Sequence, residues 1–266
     1  MYRQFFGLTQ IPFGKDCQTL WAHPQLSELK TRFQWLLKSP GLGLLTAEPG
    51  LGKTAALRCI TRDLSPHQYA VKYIAETDFG RNDFYRQLST QFNLTPQYRR
   101  AQIWRDLKEH ITILATQKNI HPIIIIDEAQ NLPLEFLRDF PSFLNFAFDS
   151  KDYMTVWLVG HPDLARTIDR PQHAALATRI QARCELKPIS DRDAFKSFLL
   201  DGLLEAGCKD TILSEPGIET LRMSSKGNPR QVHQLVVTAM QLATEKKQLH
   251  LSDDVIQAAI DALKQK

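Results

Sequence analysis

The sequence predicts an α/β fold in which a parallel sheet is flanked by helices and followed by a smaller, all-helical domain. Three observations carry this. Short apolar runs alternate with segments of helical period as far as Pro188, the pattern of strands joined by crossover helices. A glycine-bearing loop, Ala47 to Thr54, separates the first apolar run from the helix after it. Beyond Pro188 the strand-like runs stop and only helical spacing remains. With 266 residues, the chain has room for one large domain or two modest ones at about 100–200 residues each. The expected division is a sheet domain over residues 1–188, with 1–40 as an N-terminal segment and helix packing on it, and a helical domain over 189–266.

The elements follow in order. After an irregular start, Pro24 suits the first turn of a helix whose Leu26, Leu29, Phe33, Leu36 and Leu37 share one face. Ser39-Pro40-Gly41 ends it. Gly43–Ala47 reads as a buried strand, Lys53–Leu64 as the helix after the loop, and Tyr69–Ala75 as the second strand. Phe84, Leu88 and Phe92 mark one helix, and Ile103, Leu107, Ile111 and Leu114 another. Pro122 to Asp127 is a continuous β-branched run suited to the centre of a parallel sheet. A helical stretch interrupted by Pro141 leads to a strand at Thr155–Val159, and a last strand is expected just after Arg183. In the tail, Ser190-Asp191-Arg192-Asp193 resembles a capping box with Asp in place of Glu. Phe195, Phe198, Leu199 and Leu203 follow at helical spacing, then Arg230–Thr244 and Ser252–Leu263.

Composition removes several classes. Hydrophobic residues make up 43% and charged residues 23%, which is globular and excludes long disorder. The 33 Lys and Arg against 29 Asp and Glu leave a net charge of +4, mild enough to admit an acidic partner without specifying one. Cys17, Cys59, Cys184 and Cys208 are widely spaced and form no CxxC pair, against a zinc knuckle or a disulfide scaffold and in keeping with a reducing compartment. No apolar stretch approaches the ~20 residues that cross a bilayer. The opening residues lack a basic segment followed by a long apolar one, so no signal peptide is expected. The expected setting is cytoplasmic, with no membrane partner.

Residues 47–54 read Ala-Glu-Pro-Gly-Leu-Gly-Lys-Thr, a phosphate loop whose first glycine is replaced by Ala47. Gly50 and Gly52 let the backbone bend so that its N–H groups face a phosphate, helped by the following helix N-terminus. Lys53 reaches the β- and γ-phosphates and Thr54 holds Mg²⁺. Its place between an expected strand and an expected helix separates it from a chance glycine-rich turn. Asp127-Glu128, ending the apolar run, is the natural partner. A carboxylate at a strand tip binds Mg²⁺ through water, and its neighbour polarises an attacking water. Glu128 is the expected general base.

Other positions leave two readings each. His161 in Val159-Gly160-His161-Pro162 faces the γ-phosphate and the water, or caps the next helix. Arg179 and Arg183 are surface ion-pair residues, or one of them is a finger reaching a neighbouring subunit's nucleotide. Arg230, in Gly227-Asn228-Pro229-Arg230, opens a helix, where a cation opposes the helix dipole unless a phosphate sits there. Phe92 to Arg105 holds Arg99, Arg100 and Arg105 with Tyr98 and Trp104 and no acid. It is either a solvated basic turn with Trp104 packed inward or a surface that meets DNA phosphates without reading sequence.

Taken together, these residues resemble an AAA+ ATPase, and the ExeA/TniB/TnsC-like branch of it, over nearly the whole chain. The carriers are Phe6-Gly7-Leu8 with Pro12-Phe13, Ala47 to Thr54, Ile126 to Leu132, Val159 to Leu164, Arg179-Ile180, and Gly227 to Arg230. The resemblance implies ATP and Mg²⁺ as cofactors, with Glu48, Pro49, Gly50, Leu51, Gly52, Lys53, Thr54 and Ala55 around the nucleotide and Thr54 and Asp127 on the metal. It implies sensor 1 at His161, where the branch often has Gln, an arginine finger at Arg179, sensor 2 at Arg230, and a helical lid after residue 188. TnsC/TniB-like proteins are compact ATPases that assemble on DNA with a transposase. The bare architecture and mild basicity favour that function, regulation of DNA transposition. The expected partners are then double-stranded DNA, a transposase, a target-selection adaptor, and further copies in a ring or filament. TnsC-like proteins place DNA-contacting residues on a loop like that of Arg99, Arg100 and Arg105. The alternatives are an ExeA-like secretion ATPase and a replication-initiator or helicase-loader ATPase.

Overall fold

The computed structural model describes residues 2–15, 21–77, 80–208 and 210–264; Cys17 lies outside them. Helices α1 (Tyr2–Phe5) and α2 (Pro24–Lys38) precede strand β1 (Leu42–Ala47), and α3 (Lys53–Arg62) leads to β2 (Tyr69–Ile74). Next come α4 (Arg81–Gln91), α5 (Arg100–Thr116), β3 (His121–Ile126), α6 (Leu134–Leu144) and β4 (Thr155–Gly160). Helices α7 (Pro162–Ile168) and α8 (Ala174–Ala177) lead into β5 (Ile180–Leu186). The tail is α9 (Arg192–Glu205), α10 (Glu215–Ser225), α11 (Pro229–Glu245) and α12 (Asp253–Lys264).

The chain forms two compact units. The first comprises residues 24–48 and 56–186. Its five strands are all parallel, in the order β2-β3-β4-β1-β5. Strands β1 and β4 are buried along their whole length, as the apolar runs require of strands covered on both faces. Gly43 lies opposite Trp157, and a Cβ there would come within 2.6 Å of the indole; the missing side chain is what lets Trp157 stack on Phe33. The core joins the sheet to α4, α5 and α6 through an aromatic cluster that includes Phe84, Tyr85, Phe136, Phe140 and Phe143. Pro141 does not interrupt α6, which runs through it to Leu144. The lost backbone bond, worth about 3 kcal/mol in an exposed helix, is offset by burial of Phe136, Phe140 and Phe143 on one face.

Just after α6, Ala147, Phe148 and Asp149 all take positive φ, 46°, 57° and 60°. Each left-handed L-residue costs about 1–2 kcal/mol. The turn is closed by an antiparallel bridge between Phe146 and Lys151.

The second unit comprises residues 1–23, 49–55 and 187–266. It is not the C-terminal tail alone: Phe6 and Leu8 are buried in one core with Phe195, Leu199, Leu221, Val236 and Ile256. Thr9 N–H donates to the Ala206 carbonyl at 2.9 Å, and Pro12 O accepts from His233 Nδ1 at 2.8 Å. The described residues before Pro24, expected on the sheet domain, thus group with the helical one. The cap of α9 is Asp191, one residue later than the capping-box reading, its carboxylate accepting from Ala194 N–H at 2.8 Å.

Candidate functional site

The phosphate-loop residues 49–55 are held by the opening turn of α11. Gly50 and Gly52 both take φ of 89°, where an L side chain is strained. Asn228 caps α11, its Oδ1 accepting from the N–H groups of Arg230 and Gln231 at 3.0 and 3.4 Å. Its Nδ2 donates to Pro49 O at 2.9 Å, and Arg230 N–H also donates to Gly50 O at 3.3 Å. A Cβ on Gly50 would meet Asn228 Oδ1 at 2.6 Å and Arg230 Cβ at 2.8 Å, so glycine is needed for closeness as well as for φ. Around Gly52 a Cβ would meet nothing within 4 Å. The loop therefore keeps an open side of the kind a phosphate group fits. Lys53 and Thr54 begin α3; Lys53 is nearly buried, Thr54 exposed, and Leu51 buried. Gly227 is demanded by the backbone: its φ is 68°, and a Cβ would lie 2.2 Å from the Ile189 carbonyl oxygen. Arg230, exposed on the second residue of α11, follows directly.

In the sheet unit, the register brings the carboxyl ends of the central strands to one edge. Ile126 lies opposite Leu158 and Thr46 opposite Gly160, so Glu48, Asp127, Glu128 and His161 all project from that edge, the usual ligand side of a parallel sheet. Asp127 is 3% exposed; its Oδ1 accepts from Glu128 N–H at 2.9 Å and its Oδ2 from Tyr73 Oη at 2.8 Å. Glu128 sits at φ 51°, ψ 36°, a conformation disfavoured for Glu, and Thr77 Oγ1 holds its carbonyl at 2.8 Å. Gln130 bridges the edge: Nε2 donates to Glu128 Oε2 at 2.6 Å, and Oε1 accepts from His161 N–H at 3.0 Å. The His161 ring caps α7, with Nδ1 toward Asp163 N–H at 3.4 Å and Nε2 2.7 Å from Glu48 Oε2. His161 is a helix cap, and its backbone N–H, not its ring, is joined to Glu128 through Gln130.

Arg179 lies elsewhere. It immediately precedes β5, at the amino edge of the same sheet, about 20 Å from the carboxyl edge for six-residue strands. Arg183, expected before the last strand, is inside it, because β5 begins at Ile180. Both arginines are paired: Arg183 with Asp169 at 2.8 Å, and Arg179 with both carboxylate oxygens of Asp149 at 3.0 and 2.8 Å and with Asn145 Oδ1 at 2.6 Å. The guanidinium bonded to it holds the Asp149 carboxyl below its ordinary pKa. Burial raises that of nearby Asp152. Among the described residues, Arg179 and Asp152 help to line a cavity of about 220 Å³ with Leu42, Phe146 and Tyr153.

The basic segment is only partly a loop. Helix α5 begins at Arg100, so Arg100 and Arg105 are helical and only Arg99, as its N-cap residue, belongs to the link. Arg100 is occupied structurally, paired with Asp139 at 2.6 Å and stacked 4.9 Å over the Trp104 ring, which packs against the core. Arg99, Arg105 and Tyr98 are exposed. Gln130, Tyr73, Thr77 and Asn228 hold the candidate site residues in place without standing out in the sequence. A Gln two residues after a strand-end carboxylate and an Asn before a helix-opening Pro were the available signals.

Fold and site together define a P-loop α/β protein with the five-stranded parallel sheet of the AAA+ class. Residues 36–168 match the AAA domain family, half of the chain, and the chain belongs to that family. It is 32% identical over 242 residues to General secretion pathway protein A of Aeromonas hydrophila, a match covering 88% of this chain and 43% of that protein. The chain thus spans less than half the length of that curated relative. Among solved structures it resembles Cdc6p from Pyrobaculum aerophilum (TM-score 0.68, 16% identity, 97% of this chain and 70% of that one). It also resembles the ORC2 protein of Aeropyrum pernix (0.69, 17%, 98% and 71%) and the RuvB branch-migration motor of Thermotoga maritima (0.63, 16%, 96% and 74%). At these identities the likeness is one of fold.

Proposed function

We propose that this chain is an ATP-driven switch: an ATPase that associates with further copies of itself while ATP is bound and releases them on hydrolysis. The observation that carries the reading is the carboxyl edge of the sheet. There a nearly buried Asp127 stands beside a Glu128 held in a left-handed conformation and bonded through Gln130 to the end of β4. Backbone strain at a carboxylate fixed this closely is characteristic of a working group. In this reading the loop from Glu48 to Ala55 surrounds the nucleotide, Lys53 neutralises its phosphates, and Thr54 with Asp127 holds Mg²⁺. When bound, the nucleotide would supply the electrophilic phosphorus and Mg²⁺ would offset the charge on its phosphates; Glu128 accepts the proton of the attacking water. His161, through Gln130 and Glu48, senses the state of that edge. Arg230 follows the nucleotide from the helical unit, where Asn228 and Arg230 already hold Pro49 and Gly50. Arg179, on the opposite edge, acts on the nucleotide of a neighbouring copy, which yields a heterologous, ring- or filament-forming contact.

For the client, the identity to General secretion pathway protein A supports an ATPase serving a secretion system ahead of one regulating DNA transposition with a transposase and adaptor. A DNA-linked role is the second reading, supported by the exposed Tyr98, Arg99 and Arg105 in an acid-free segment. Among the described residues no helix is long and apolar enough to cross a membrane.

Glu128→Gln tests the first claim. Turnover of ATP should fall by about 10²–10⁴-fold while binding of a fluorescent ATP analogue persists and ATP-bound oligomers accumulate in light scattering. Unchanged turnover removes Glu128 from the chemistry. The same trapped protein separates the clients. Salt-sensitive retention of duplex DNA, lost in an Arg99→Ala/Arg105→Ala variant, selects the DNA reading. Indifference to DNA selects the secretion reading.

A further inference from the structure

The turn at Ala147-Phe148-Asp149 has three consecutive left-handed residues, none of them glycine, and such a run persists only where its surroundings impose it. They do so here. The Phe146–Lys151 bridge closes the base, Ser150 N–H donates to Ala147 O at 3.2 Å, and Arg179 grips both oxygens of Asp149. The product of this constraint is Phe148, fully exposed at the tip, while Phe146 at the base is buried. A constrained aromatic presented to solvent beside an arginine has the composition of an interface anchor.

We propose that Phe148 anchors the contact between two copies of this chain by packing on the carboxyl edge of the next copy's sheet. The inference rests on the reading of Arg179 as acting on a neighbour, since Arg179 is bonded to Asp149 of the turn that carries Phe148. The opposite edge offers a counterpart. Tyr73 and Leu134 are each 43% exposed, Tyr73 bonded to Asp127 and Leu134 opening α6 a few residues after Glu128. With Arg179 acting on a neighbour's nucleotide, the head-to-tail contact brings the amino edge of one sheet to the carboxyl edge of the next, where Tyr73 and Leu134 each offer exposed apolar surface to the aromatic tip. Arg179 then exchanges Asp149 for the neighbour's phosphates, so Asp149 holds the finger in reserve in the single copy.

The test is sedimentation velocity of the full chain with Mg-ATP. Phe148→Ala and Phe148→Asp should need at least tenfold more protein to assemble than wild type, and Phe148→Leu should stay within about threefold. Binding of a fluorescent ATP analogue to the dilute single copy should be unchanged in all three, which separates lost contact from lost fold. Phe148→Cys combined with Leu134→Cys should give an ATP-dependent ladder of disulfide-linked multimers that neither single variant gives. Wild-type assembly by Phe148→Asp, or no ladder in assembled protein, overturns this inference and leaves the proposed function standing. A wild-type chain that stays single with ATP overturns both.

Discussion

Gln130 shows how a carboxylate is positioned by a residue with no proposed chemistry of its own. The Gln130 amide orients one carboxylate oxygen of Glu128 and ties it to the backbone of His161, so the proposed base is held by a side chain anchored just past the end of a neighbouring strand. Gln130→Ala should therefore lower kcat by about tenfold or more, as expected when a positioning contact is lost, with KM for ATP within about threefold. A change confined to KM would assign Gln130 to nucleotide binding. The candidate residues are legible as residue types at fixed spacing: the loop glycines, Lys53, Thr54 and Asp127-Glu128. The wiring between them is not, because a hydrogen bond such as Gln130 to His161 depends on which strands are neighbours. Gly50 stands in between. Its motif position was readable, but its collision course with Asn228 joins residues nearly 180 positions apart.

Among the elements, α5 changes meaning most. Its sequence reads as a basic stretch, yet Arg100 spans from Trp104 to Asp139 and fastens α5 to α6. Arg100→Ala should destabilise the sheet unit by about 1–2 kcal/mol, read as a lower urea midpoint, with no effect on retention of DNA. Equal stability, or selective loss of DNA retention, would reverse that assignment. Strands β1, β3 and β4 were readable because burial on both faces leaves a continuous apolar run. Strand β5 was placed too late because it alternates instead, with Ala182, Cys184 and Leu186 buried between exposed neighbours, and opens on the polar Arg179-Ile180-Gln181 stretch. Helix α10 escaped notice because Pro216-Gly217 near its start reads as a turn; Ser214 caps it, accepting from Gly217 N–H at 3.0 Å. Desolvation pushes the Cys184 thiol up to about 11 and raises that of Cys208, which leaves little thiolate at either.

For the molecule as a whole, His121 predicts a loss of stability in acid. Burial pushes His121 down to about 4, and its Nε2 is 2.8 Å from Thr155 Oγ1, which in turn donates to Leu36 O at 2.7 Å. The imidazole stays neutral in the fold, while the unfolded chain takes up a proton near 6.5. Stability is thus fully present above about 6.5 and drains away as pH falls toward about 4. His121→Gln should flatten the dependence of the urea midpoint on pH across that window, and an equal slope in both proteins would place its origin elsewhere. The two units also differ in how far apart their parts lie in sequence. The composition shift near Pro188 marked where the helical segments resume, but nothing local reveals that Phe6 and Leu8 belong with them, since that pairing is written in a core shared with residues beyond 188. This has a consequence for biosynthesis. On the ribosome, the sheet unit can close once residue 186 has emerged, whereas the first segment must wait, apolar side chains uncovered, until α9 to α12 are made. At about 5–20 residues per second that delay lasts many seconds, and it is the interval in which a nascent chain of this kind most needs a chaperone.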